Sequence, residues 1–99
     1  MSTLHTVNKS SFTHNTLATC VDICTAGDCI LFIEDGVFSA IKNNAQLDKI
    51  FGKGISVYAL KSDATARGLN EKLHAQIQLV DYSDFVKLSA HHLRVQSWF

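Results

Sequence analysis

The five residues Cys29-Ile30-Leu31-Phe32-Ile33 carry no polar side chain. A strand packed on one face alternates apolar and polar positions. A run apolar at every position has to be covered on both faces, as an interior strand of a parallel sheet is. The run stops at Glu34-Asp35-Gly36 and gives way to a second apolar segment, Val37-Phe38-Ser39-Ala40-Ile41. Two carboxylates and a glycine at the end of a buried strand read as the rim of a binding site or as a strand-to-helix turn with ordinary capping.

The rest of the chain alternates around this strand. Residues 3–7 are β-prone. From about Thr13, Leu17, Cys20, Val21 and Cys24 fall at i, i+3, i+4 and i+7, which predicts a helix ended at Ala26-Gly27-Asp28 with Gly27 as its cap. Val37, Phe38, Ala40 and Ile41 predict a short amphipathic turn, broken at Lys42-Asn43-Asn44, after which Leu47, Ile50 and Phe51 resume apolar contact. Residues 55–60 predict a third strand, 63–68 a short helix ended by Gly68, 77–80 a fourth strand, and 82 to about 91 a last helix. The tail is β-prone and finishes on Trp98 and Phe99. Such alternation predicts an α/β fold: a three-layer α/β/α arrangement around a small, mainly parallel sheet of four or five strands, joined by right-handed crossovers.

With 99 residues and no linker, repeat or proline, one domain over residues 1–99 is expected. A core of this size is thin, and 46% hydrophobic composition leaves apolar surface that association with other subunits would cover. Nine basic and nine acidic side chains cancel. No basic field favours nucleic acid, so direct nucleic-acid binding is not expected, nor is attraction to an anionic membrane. His5, Asn8, Lys9, His14 and Asn15 interrupt any leader-like apolar run, and no segment approaches the ~20 apolar residues of a membrane span. A cytoplasmic location is the expectation.

Three strands end beside an acid: Glu34-Asp35, Asp63 and Asp81. The carboxyl ends of parallel strands form the usual ligand rim. Yet Asp35, Asp63 and Asp81 each precede a helical segment, where an aspartate accepts a backbone N–H and meets the positive end of the helix dipole. Capping is the favoured reading. No glycine pattern suited to nucleotide phosphates is present, and no cofactor is expected.

The cysteines Cys20, Cys24 and Cys29 are odd in number, and C-x3-C-x4-C is not a zinc-site spacing, so neither a disulfide framework nor a metal site is expected. Cys29 lies in the apolar strand and Cys24 on the helical stripe, both core positions. For Cys20 two readings stand: a small buried hydrophobe, or a carrier of sulfur. No cation lies close in sequence to activate it, and Asp22 works against its ionisation. His5 suits a hydrogen-bonded core residue, and His91 or His92 a partner for a helix C-terminus.

The stretches "LHTVNKSSF", "LFIEDGVFSAI", "VYALKSDATARGL", "VDYSDFVKL" and "VQSWF" together resemble the TusB/DsrH family from Leu4 to Phe99. The resemblance implies the smallest of three related α/β subunits in a heterohexamer with two copies of each. Its partners would be TusC/DsrF-like and TusD/DsrE-like subunits. In the TusBCD form such a complex relays persulfide sulfur from TusA to TusE for 2-thiouridine synthesis at the tRNA wobble position. In the DsrEFH form it acts with DsrC in intracellular sulfur oxidation. In both, the main persulfide cysteine belongs to the larger TusD/DsrE subunit, which makes this chain structural or auxiliary. Cys20 matches a cysteine of DsrH-type and some TusB members, which implies an auxiliary persulfide or redox site. Trp98 and Phe99 are expected at a subunit contact or packed on the chain's own sheet.

Overall fold

The computed structural model describes residues 2–99. Five strands form one all-parallel sheet: β1 (Thr3–Val7), β2 (Cys29–Phe32), β3 (Ser56–Leu60), β4 (Gln78–Val80) and β5 (Arg94–Trp98), in the order β4-β3-β2-β1-β5. Four α-helices connect them: α1 (Thr16–Ile23), α2 (Gln46–Gly52), α3 (Lys61–Ala66) and α4 (Tyr82–His91). A 3-10 helix (Glu34–Ala40) follows β2. The predicted α/β class and parallel sheet are both present. The wholly apolar strand β2 lies in the middle, paired with β1 and β3.

Strand order decides how the two faces are covered. From β1 through β4 the chain steps in one direction across the sheet, so right-handed crossovers put α1, α2 and α3 on the same side. Their residues Leu17, Val21, Leu47, Ile50 and Ala64 bury against Val7, Ile30, Phe32, Val57 and Ala59, together with Val37 and Ala40 of the 3-10 helix. The last crossover runs back over the whole sheet to β5 and therefore uses the opposite face. There a smaller core forms from Leu4, Cys29, Leu31, Leu60 and Val80, with Phe85 and Leu88 of α4 against it. A helix is ~10 Å wide, whereas five strands span about 19 Å. One helix therefore leaves this layer incomplete, with Val95 of β5, in register with Leu4, 48% exposed.

Two local expectations change. Helix α1 stops at Ile23, with Cys24 as its extended C-cap, three residues before Gly27. Gly27 instead takes a left-handed φ of 91° in the turn that returns the Asp28 N–H to the Thr25 carbonyl. Of the three aspartates read as caps, Asp81 alone is one: it accepts the Asp84 N–H at 2.8 Å while Asp84 accepts the Asp81 N–H at 3.2 Å. Asp35 lies inside the 3-10 helix and pairs with Arg67 at 3.0 Å. Asp63 lies inside α3 and accepts the Glu34 N–H at 2.7 Å, across from β3 to β2.

Gly36 is required by close approach. A Cβ there would overlap the carbonyl of Val7, which belongs to the backbone of a central strand and cannot give way. Gly36→Ala should therefore cost about 3 kcal/mol or more, through displacement of the 3-10 helix from β1. Urea unfolding followed by circular dichroism would measure this. A midpoint equal to that of the natural chain would show that the contact yields.

Candidate functional site

The alternation of β1 aims His5 and Val7 at the α1 side of the sheet and Leu4 at the other. His5 is thereby buried, 2% exposed, beneath the helix. Cys20 on α1 and Cys24 at its C-cap are four residues apart and share a face, so their sulfurs meet at 3.8 Å. Cys20 is wholly buried and Cys24 nearly so. One ring nitrogen of His5 and the two Sγ atoms all lie within 4.8 Å of one another. Cys29 takes no part, because it faces the α4 side.

The imidazole is held at both nitrogens. Trp98 Nε1–H donates to His5 Nδ1 at 3.0 Å, and His5 Nε2 lies 3.0 Å from Asp28 Oδ2. An indole N–H only donates, so Nδ1 must accept and Nε2 carries the hydrogen that goes to the carboxylate. Asp28 also accepts the backbone N–H of Thr3 at 3.0 Å and of Thr25 at 3.1 Å. Burial by itself would raise the pKa of this carboxyl. The hydrogen bonds from His5, Thr3 and Thr25 outweigh it and hold the Asp28 pKa below the usual carboxylate range.

The two thiols are unlike. The hydrogen bond with Cys24 and burial hold Cys20 as a thiol far above the usual range, with the Cys24 and Asp28 charges adding to the effect. The same hydrogen bond, given by Cys20, lowers Cys24; burial and Asp28 oppose this, and Lys53 assists. Lys53 is positioned by its bond to the Val21 carbonyl at 2.7 Å. Of the two, Cys24 is the one whose ionisation the surroundings favour more. Sequence reading placed Cys24 and His5 in the core, as they are, but missed that they converge with Cys20. The i, i+4 spacing of the cysteines was a usable signal; the arrival of His5 from a strand was not.

A surface groove of about 290 Å3 reaches His5 and is bordered also by Thr3, Ile23, Arg94, Gln96 and Trp98. The two terminal aromatics part company at this point. Trp98 turns inward to His5 and packs on the chain's own sheet, whereas Phe99 is 84% exposed. The acids at the strand ends are elsewhere: Asp35 is engaged with Arg67, and Asp63 and Asp81 accept backbone N–H groups. Of the two terminal histidines, His91 lies in the last turn of α4, and His92 Nδ1 is 2.9 Å from Ser2 Oγ.

The DsrH-like protein family model matches residues 9–95, nearly the whole chain. The chain belongs to the TusB/DsrH family. Protein TusB of Photorhabdus laumondii is 43% identical over 72 residues, covering 73% of this chain and 76% of that one. Protein TusB of Escherichia coli K12 is 36% identical over 95 residues, covering 96% and 99% respectively. The crystal structure of the ychN protein from E. coli shares the fold, with a TM-score of 0.76 and 12% identity over 98% of this chain and 99% of that one. In this family member, the buried hydrogen-bonded set His5–Asp28–Trp98 adjoins a cysteine pair on α1.

Asp28→Asn removes the charge that three donors surround and should lower stability by about 2–3 kcal/mol at neutral pH. Folding depresses the Asp28 pKa from its ordinary 3.8, so the folded state binds this proton less readily than the unfolded state. The contribution is thus complete above about pH 4 and is lost as the pH falls through the lower, folded-state value. Denaturant midpoints of the natural chain and the variant should differ fully at neutral pH and converge in acid. A difference independent of pH would mean that the carboxylate charge is not what stabilises the junction.

Proposed function

We propose that this chain is a subunit of a heterohexameric sulfurtransferase complex of the TusBCD type, working in the cytoplasm as one domain. The complex relays persulfide sulfur for 2-thiouridine synthesis at the tRNA wobble position. Its partners are TusC/DsrF-like and TusD/DsrE-like subunits, with a TusE/DsrC-like protein as sulfur acceptor. Family membership supports this assignment. The observation that carries a subunit role in particular is the incomplete layer on the α4 face.

Every α4 side chain keeps some exposure, and Tyr82 and Val86 stand one turn apart on its outer side. Val95 of the edge strand β5, with Leu93 before it and Phe99 after it, adds exposed apolar surface. A groove of about 320 Å3 beside α4 is lined in part by Tyr58, Leu79, Val80 and Leu88. Apolar surface of this kind on a small chain suits burial by another subunit. The balanced charge gives no grip on tRNA, in keeping with a relay that touches protein acceptors. Among the described residues, no helix is long and apolar enough to cross a membrane.

The role within the complex is structural or auxiliary. Cys20 is inaccessible and held as a thiol, the reverse of an activated sulfur nucleophile. A second reading, a DsrH-like subunit acting with DsrC in sulfur oxidation through Cys20, is favoured by one observation: a second thiol lies beside it.

Two measurements test the assignment. Val86→Asp, on the outer face of α4, should leave the chain folded but abolish co-purification with its partner subunits from the native host. Retention of the partners would remove α4 from the interface. Cys20→Ala in the assembled complex should leave sulfur transfer to the acceptor within about twofold of normal. Loss of transfer with assembly intact would overturn the structural role and support the second reading.

A further inference from the structure

Two thiolates on one tetrahedral zinc ion, each ~2.3 Å from the metal, stand about 3.8 Å apart. Cys20 and Cys24 are at that separation. A ring nitrogen of His5 completes a three-ligand set in which no two donor atoms are more than 4.8 Å apart. The geometry points to a zinc site made of His5, Cys20 and Cys24, with Asp28 orienting the histidine and a fourth position open toward the groove beside Trp98.

Three features beyond the donor set support it. Metal-bound histidines commonly give their other ring N–H to a carboxylate, which fixes the tautomer. Here Nε2–H is given to Asp28, itself locked by the Thr3 and Thr25 N–H groups, which leaves Nδ1 as the ring nitrogen with a lone pair to offer once Trp98 releases it. Charge also balances. A divalent ion and two thiolates sum to zero. A monovalent soft ion would leave a net negative charge in the core, which is costly. Finally, a groove of about 290 Å3 brings solvent to His5 and Trp98, the side from which a metal would enter.

Binding requires one local exchange. Trp98 Nε1–H now occupies Nδ1 and must withdraw before the metal can take its place. Trp98 lies on the edge strand β5 and borders the groove, which gives its ring space to turn into. The two thiols release their protons to solvent as the Zn–S bonds form, with no change of oxidation state. The C-x3-C-x4-C spacing gave no sign of the site because Cys29 faces away and the third ligand comes from β1.

Trp98 is the only tryptophan in the chain, so its emission reports the exchange directly. Zn2+ titrated into the full-length, reduced chain should shift that emission and saturate at one ion per chain. Co2+ used as a probe should give a thiolate-to-metal charge-transfer band. Cys24→Ser should abolish the band, Asp28→Asn should weaken zinc binding about 10–100-fold, and Cys29→Ser should change neither. X-ray absorption at the zinc edge of the natural chain should show two sulfur neighbours and at least one imidazole nitrogen, a result that does not depend on any variant folding. A zinc shell of oxygen and nitrogen alone would overturn the proposal. So would a cobalt band that survives in folded Cys24→Ser, or absence of the band from the folded natural chain. None of these outcomes bears on assembly with partner subunits, so the sulfur-relay assignment stands or falls separately.

Discussion

The carboxylate of Asp28 is taken out of water and met by donors from β1, from the end of α1 and from the buried imidazole of His5. An ionised group in such a place is tolerated only while those donors are in position. It therefore ties the start of β1 and the α1–β2 turn into one arrangement. Through His5 the constraint continues to Trp98 and so to β5, the last strand to join the sheet. The register of β1 against both its neighbours is thus held by polar contacts as well as by the apolar interior.

The second constraint is topological. Three successive crossovers in one direction crowd one face with α1, α2, α3 and the 3-10 helix, while the return stroke leaves α4 to cover the other. The consequence is an interior on one side and a half-finished one on the other. The crowded side shelters the histidine and the cysteine pair; the open side presents Tyr82, Val86 and Val95. The sheet thus separates a buried polar and thiol cluster from an exposed apolar face.

Much of the fold was legible in the chain itself. The unbroken apolar run at residues 29–33 required a strand covered on both sides, and β2 is central. The helical stripe through Leu17, Cys20 and Val21 identified α1 and turned its apolar face inward, although the helix ends at Ile23, before the expected glycine cap. The strand-end acids were less legible. Aspartate before a helical segment is a local signal for capping, but Arg67 and the Glu34 N–H are 32 and 29 residues away from the carboxylates they engage, and long-range partners override local preference.

Taken by itself, the sequence determined the kinds of elements, their order and the parallel sheet, because hydrophobic period and strand-helix alternation are properties of neighbours along the chain. It also determined that Cys20 and Cys24 share a helical face. Tertiary structure alone decided that β5 returns beside β1, that Trp98 reaches across 93 residues to His5, and that His5 arrives against the cysteine pair. Those are meetings between segments distant in sequence. Their physical basis is strand order and register, which no local pattern encodes.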